Sequence, residues 1–435
     1  MTRPSRWQAV QDLIPGILFA ATLALYCFHL RIPEGYIYDE VYHAYTAAEY
    51  VRGNPDAYVW DTHAPRPNVA YMWNHPPVGV WMIAGGIRLW GDNSFGWRFA
   101  AAVFGAAGIA LAYLLALRLT GRRGVALLAA GLLVLNGLYF VQSRTGMLDI
   151  FGTFFMMAAI LFFHRYLTAV PAREGRELAW TGLFLGLAVA TKWSAGYPSA
   201  CIGLVVLGRA FFPGRERRRA AGKRGGILRA LGAVAVGLGV VPAAVYLAAY
   251  IPFFLVGHDW SQFLELQRQT LYYHSHLRET HAYASSWWSW PLALRPVWYY
   301  VAYLDHWISN IYTNSNPLLS VMFVPAATVA TFAWWKSRNP AWLALLIGFF
   351  GQWLPWGLVP RIAFAYHFLP ATPFGCIAVA AVLGMLWNRG TAARTVCVAY
   401  VAAVAAAFVF FYPIYAAVPL TKEAFDLRMW LPSWR

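Results

Sequence analysis

Two adjacent carboxylates, Asp39 and Glu40, lie in the stretch Tyr36-Ile-Tyr-Asp-Glu-Val-Tyr-His43, just after the apolar run 11–30. A carboxylate so placed can take the proton of an acceptor hydroxyl as a general base, provided geometry brings the two within hydrogen-bond reach. Loop acids are also ordinary solvated surface, so the pair acquires meaning only from its companions. The first companions are cations: Arg98, Arg144, Lys192 and Arg361 each stand where an apolar run meets polar sequence. Side chains of this type clamp phosphate oxygens and stabilise charge on a departing phosphate. The competing reading is that they snorkel to lipid headgroups.

Asp149 sits two residues inside an apolar run and five after Arg144. A carboxylate is costly in lipid unless it is paired, so an Arg144–Asp149 ion pair with an orienting role is expected. A further group comprises Tyr272-Tyr-His-Ser-His-Leu277, His281-Ala-Tyr283 through Trp287 and Pro291, and Arg295-Pro296. His274, His276 and His281 raise the question of zinc, but no Cys or HExxH motif accompanies them and no metal site is expected. Aromatic and His side chains line sugar sites or pack at a membrane interface, and both readings stay open.

What must position these groups is a membrane bundle. Of 435 residues 60% are hydrophobic and 12% charged, about half the charged share of a soluble domain. Eleven apolar runs are read as spans, near 11–30, 96–117, 124–141, 147–164, 178–194, 195–212, 228–254, 317–335, 341–358, 363–387 and 395–417. With the N-terminus inside, alternate gaps hold 20 of the 34 basic residues and only four acids. The whole net charge of +16 then falls on one side, and the other side is neutral. Positive-inside bias and attraction to anionic membrane lipid account for that excess, so a nucleic-acid partner is not expected.

The segment Val78 to Trp90 is apolar but, at about 20 Å as a helix, too short to cross a hydrocarbon core of about 30 Å. It is expected to lie on the outer face as a juxtamembrane helix, within one long outer loop over 31–95. A second long outer loop covers 256–316, and the C-terminus ends outside. The reading is one all-α polytopic transmembrane domain over 1–435. Cys27, Cys201, Cys376 and Cys397 lie in apolar stretches, where no disulfide is expected. The first run is long for a signal-peptide core and no small-residue cleavage site follows, so it is read as a retained span. No GxGxxG follows a strand and no Walker lysine motif is present, which favours a donor carried by lipid over a soluble nucleotide.

Taken in order, these stretches resemble the protein O-mannosyltransferases, membrane glycosyltransferases of the GT-C fold. Tyr38-Asp39-Glu40-Val41 is similar to the family's first-loop Asp-Glu motif. Asn74-His75-Pro-Pro-Val-Gly79 and Phe95-Gly-Trp-Arg98-Phe resemble the segment entering its second span. Gln142-Ser-Arg144 through Met147-Leu-Asp149, Thr191-Lys192-Trp193-Ser194, the His281–Trp287 loop with Tyr283, and Tyr366-His367-Phe-Leu-Pro370 follow in the family's order.

The resemblance implies a polyprenyl or dolichyl phosphate sugar as donor, mannose above all, and inverting transfer to a Ser or Thr hydroxyl. It makes Asp39 the base, with Glu40 beside it, and Arg361, Lys192, Arg144 and Arg98 the phosphate ligands. His75, Asp149, His281, Tyr283, Trp287, Arg295, Tyr366 and His367 become supporting residues. Eukaryotic members carry a β-trefoil MIR insertion in the large loop after the seventh span. The 256–316 loop has too few residues for it, which implies a prokaryotic or otherwise minimal form and leaves a protein, lipid or glycan acceptor open. A transporter is the alternative of a different class. Its charges would gather at the midplane in paired halves, whereas these gather at one face.

Overall fold

The structure, a computed structural model, describes residues 13–212 and 223–435. Arg3, Arg6 and the basic stretch from Arg215 to Arg219 lie outside the described residues. The principal helices are α1 (Ile14–Cys27), α2 (Glu40–Arg52), α3 (Val78–Trp90), α4 (Ser94–Thr120), α5 (Arg123–Val134), α6 (Asp149–Thr168), α7 (Pro171–Val189) and α8 (Pro198–Phe211). Then come α9 (Lys223–Val234), continued by a π-helical turn into α10 (Val241–Ala249), α11 (Trp260–His276), α12 (Phe323–Ser337), α13 (Pro340–Trp353), α14 (Thr372–Leu386) and α15 (Thr391–Tyr415).

Seven helical stretches among the described residues are long and apolar enough to cross a bilayer: 94–120, 149–168, 230–255, 317–337, 340–358, 365–389 and 391–415. The chain is an integral membrane protein. The other four expected spans coincide with α1, α5, α7 and α8, which are shorter or, in α7, carry Arg173, Glu174, Arg176 and Glu177 in the first turns. Length and apolarity alone do not mark those four as crossings.

Helix α4 is the axis of the assembly, touching α1, α3, α5 and α6. Its start is set by Asn93, whose side chain accepts hydrogen bonds from the amides of Phe95 and Gly96, and its end by Gly121 at φ 67°. Around it α6 packs on α7, α14 on α5 and α12, and α13 on α6. With little hydrophobic driving force between helices in lipid, such packing depends on close fit.

The chain is mostly helical, as expected, with one addition. The 256–316 segment holds helix α11 but also a hairpin, β1 (Val297–Leu304) and β2 (Trp307–Thr313), and β3 (Leu420–Thr421) from the C-terminal tail extends it to an antiparallel sheet of order β1-β2-β3. The signal was present in Val297-Trp-Tyr-Tyr-Val301, a β-branched and aromatic run followed by Asp305-His306 at the turn. Its aromatic character reads equally as interfacial decoration, so composition masks it.

The expected short helix at 78–90 is α3, and it folds back along the start of α4 through Gly91 at φ 85°. That return is tight. A β-carbon on Gly86 would stand 2.3 Å from the Gly96 carbonyl oxygen, so a side chain there forces the helices apart. Gly86→Val is expected to cost about 1–3 kcal/mol by overpacking, seen as a lowered thermal-unfolding midpoint of detergent-purified protein.

Candidate active site

The loop after α1 is held by an ion pair. Glu40 and Arg98 are 0% and 1% exposed, and the guanidinium meets both carboxylate oxygens, Nε to Oε1 and Nη2 to Oε2, each at 2.8 Å. Arg98 also donates to the carbonyls of Leu30, Pro33 and Gly35, at 3.2, 2.7 and 3.0 Å. Glu40 accepts from the amides of Ile37 (3.0 Å) and Gly146 (2.8 Å). A buried charge pair is tolerable when its remaining hydrogen-bonding sites are filled in this way. The polar atoms of both residues are therefore engaged within the protein, which sets Glu40 apart from its neighbour and Arg98 apart from the phosphate ligands expected of it.

Arg144 has a comparable role. It donates to the carbonyls of Leu25, Tyr26, Phe28 and His29 at the end of α1, at 3.3, 2.7, 2.6 and 3.3 Å. These are the unpaired carbonyls that a helix C-terminus leaves over, and a cation suits them. The expected Arg144–Asp149 pair is not formed. Asp149, at the start of α6, instead receives Lys192 Nζ at 2.9 and 3.0 Å. The correction is one of reach: Arg144 points back to α1, while Asp149 opens onto the segment between α7 and α8.

Asp39 occupies the N-cap position of α2, yet its carboxylate makes no capping hydrogen bond. Tyr38 before it takes a left-handed backbone, φ 46°, which a tyrosine adopts only under constraint. The constraint is visible: its ring stacks on Tyr299 with centroids 4.4 Å apart and meets Tyr366 edge-on at 5.9 Å. Tyr299 comes from the bulge in β1, so the unexpected hairpin helps aim the residue beside Asp39. Burial raises the Asp39 carboxyl to about 7, Lys192 opposing that rise and Asp149 adding to it. An acid titrating there is suited to proton transfer near neutrality.

Beside this group lies a cavity of about 310 Å³ whose lining includes His75, Lys192, Trp193, His274, Arg361 and His367. Lys192 Nζ sits 5.3 Å over the Tyr366 ring, which joins the cavity to the Asp39 aromatic cluster. Arg361 donates through Nη1 to His274 Nδ1, and His274 Nε2 donates to the Asn74 carbonyl at 2.7 Å. Burial and the Arg361 charge lower the His274 pKa to about 4, consistent with a neutral ring that accepts from the arginine. His75 stacks on His274 at 5.2 Å, and its Nδ1 is buried with no hydrogen-bond partner among the described residues. The unmatched His75 nitrogen and the cations Lys192 and Arg361 put polar groups into a wall that is otherwise mostly apolar.

The remaining expected residues divide. His367 accepts from the Phe364 amide at 3.0 Å and stays in the cavity wall. Trp287 packs on Trp353, with its carbonyl accepting from Trp353 Nε1 at 2.8 Å, and supports the wall from behind. Tyr283 stacks loosely on Trp298 of β1, while His281 and Arg295 are exposed and stand apart from the cavity lining. Three contributors went unassigned from the residues: His43, whose Nδ1 donates to the Gly146 carbonyl at 3.1 Å, Tyr299, and His274 as the support of Arg361. His43 and His274 were visible only as polar members of aromatic stretches; their partners are remote in sequence.

The helical bundle has the GT-C fold of membrane glycosyltransferases. The fold matches the S. cerevisiae protein O-mannosyltransferase complex bound to its sugar donor, with TM-score 0.81 and 16% identity over 100% of this chain and 93% of that one. It also matches ArnT of Cupriavidus metallidurans bound to undecaprenyl phosphate, with TM-score 0.59 and 19% identity over 95% and 75%. Within that class, the chain belongs to the dolichyl-phosphate-mannose-protein mannosyltransferase family, whose model matches residues 16–256, and residues 259–434 match the C-terminal four-span region of protein O-mannosyltransferases. Among relatives, the polyprenol-phosphate-mannose–protein mannosyltransferase of Mycolicibacterium smegmatis is 30% identical over 83% of this chain and 82% of its own length. That of Mycobacterium tuberculosis is 29% identical over 87% and 84%.

The two carboxylates separate experimentally. Glu40→Gln leaves Arg98 buried without its countercharge and is expected to cost about 3–5 kcal/mol, lowering the thermal midpoint and the folded yield. Asp39→Asn, at a carboxylate that caps nothing, is expected to leave the midpoint within about 2 °C.

Proposed function

We propose that this chain transfers mannose from a polyprenyl phosphate carrier to a Ser or Thr hydroxyl of a protein, with inversion, on the outer face of a prokaryotic cytoplasmic membrane. Family membership and the names of the mycobacterial relatives support the reaction, and the charge bias of the loops supports the outward site. The observation that carries the assignment is the Asp39 carboxylate, uncapped and held at an elevated pKa beside a cavity bearing Lys192 and Arg361.

In this reading the acceptor oxygen attacks the anomeric carbon as Asp39 takes its proton. The bond from that carbon to the phosphate oxygen breaks on the opposite face, and the lipid phosphate leaves with the electron pair. Arg361, steadied by His274, and Lys192, steadied by Asp149, stabilise the charge that grows on the phosphate. His75 adds a donor or acceptor to the same guest. Glu40, Arg98 and Arg144 act on the reaction only by holding Asp39 in place.

The acceptor has a second reading. Over 119 residues the chain is 39% identical to the undecaprenyl phosphate aminoarabinose arabinosyl transferase of Pseudomonas aeruginosa, a match of 27% of this chain and 22% of that one. Assaying membranes with polyprenyl-phosphate-[14C]mannose separates the two: label in a Ser/Thr peptide supports the protein acceptor, and label moved to a lipid product distinct from the donor, with none in peptide, overturns it.

Asp39→Asn is expected to lower kcat by at least about 100-fold while donor binding persists, and wild-type activity with the variant would remove Asp39 as the base. The base works ionised, so wild-type kcat/KM is expected to fall as pH drops through about 7, about tenfold per unit below it. A profile flat to pH 5 contradicts that role.

A further inference from the structure

A second cavity lies away from this site. It is about 720 Å³, almost wholly apolar, and is formed by α5, α14 and α15, with Val125, Leu128, Leu383, Val401, Ala402 and Ala405 in its walls. Its volume is that of a small-molecule site. One end is closed by Arg122, whose guanidinium donates to the Gly384 carbonyl at 3.1 Å, and by Trp387, whose carbonyl accepts from Arg394 Nε at 3.2 Å. From Cys397 at that end to Ala405, the wall of α15 runs about 12 Å at the helical rise, close to the thickness of one hydrocarbon leaflet at about 15 Å. Arg98 and Arg118 are twenty residues apart on α4, so the arginine-closed end stands about 30 Å along that helix from the Glu40–Arg98 pair.

The segments that line the cavity carry charge of one sign. The elements that line the cavity come from residues 93–148 and 306–422, and neither stretch contains a single Asp or Glu. Arg118, Arg122, Arg123, Lys336, Arg338, Arg389 and Arg394 therefore gather at helix ends with no carboxylate in their own segments. An apolar slot one leaflet deep, closed by arginines, is complementary to an anion carried on acyl chains. We infer that the slot between α5, α14 and α15 is a binding site for an anionic phospholipid of the leaflet opposite the Asp39 site, with its acyl chains along Val401, Ala402 and Ala405 and its phosphate at Arg122 and Arg394.

The inference is independent of the transfer reaction, and phospholipid-dependent unfolding tests it. Full-length protein is delipidated in detergent, and its thermal midpoint is followed against added phosphatidylglycerol or phosphatidylcholine. Phosphatidylglycerol is expected to raise the midpoint by several degrees at saturation, phosphatidylcholine by less than half as much. Each of Arg122→Gln and Arg394→Gln is expected to weaken the apparent phosphatidylglycerol affinity about fivefold. Ala402→Phe, which fills the slot and spares the arginines, is expected to abolish the saturable shift while its lipid-free midpoint stays at or above wild type. Equal responses to the two lipids, or an unchanged phosphatidylglycerol response in both Ala402→Phe and the arginine double variant, overturn the site. Native mass spectrometry of the wild type reads the same point without a variant: retention of one anionic phospholipid supports it, and loss of all phospholipid under conditions that keep the fold counts against it.

Discussion

Removing an arginine and a glutamate from water is expensive, and the Glu40–Arg98 pair is stable only within a set of seven short polar contacts, its own two and five to the backbone around it. Those contacts come from four separate places: the end of α1 and the loop after it, the start of α2, the start of α4, and the turn at Gly146. A change in any of them would leave a buried charge unmatched. The pair thus makes the first loop a fixed part of the bundle. Asp39 inherits its position from this arrangement, being the residue before Glu40 at the head of α2.

A second pair works alongside it. Lys192 and Asp149 bind each other across the segment between α7 and α8 and the head of α6. Lys192 then stands near Asp39, over the Tyr366 ring, and in the cavity wall with Arg361. One amine therefore tempers the Asp39 carboxyl and contributes charge to the cavity. Acid, cation and aromatic wall are coupled through short contacts, and no member could be moved far without altering the others.

The lipid slot has a different logic. Near Asp39 the buried charges of Glu40, Arg98, Asp149 and Lys192 are held in pairs. At the far end of α4 the arginines have no carboxylates in their own segments, and α15 stands off from α5 and α14 across an apolar gap. Dense pairing suits a place where small groups react. Unopposed charge beside an apolar slot suits a place where an amphiphile is held.

Much of this protein is determined by its residues in order. The apolar runs, the short α3 helix, and Asp39 ahead of an aromatic helix all follow from local composition and length, because lipid demands apolar runs of fixed extent and burial of backbone polar groups. The division of labour among the charged residues was decided only by tertiary structure. Asp39 and Glu40 are chemically alike and adjacent, but a single step in the chain sends one to Arg98 and leaves the other uncapped. Arg144 lies five residues from Asp149, and the partner of Asp149 proved to be Lys192, forty-three residues away. Tyr299 reaches Tyr38 from a strand hidden in an aromatic-rich loop. Spacing along the chain sets which groups are available; which of them meet depends on helix packing and on the high cost of an unmatched charge in a dry interior.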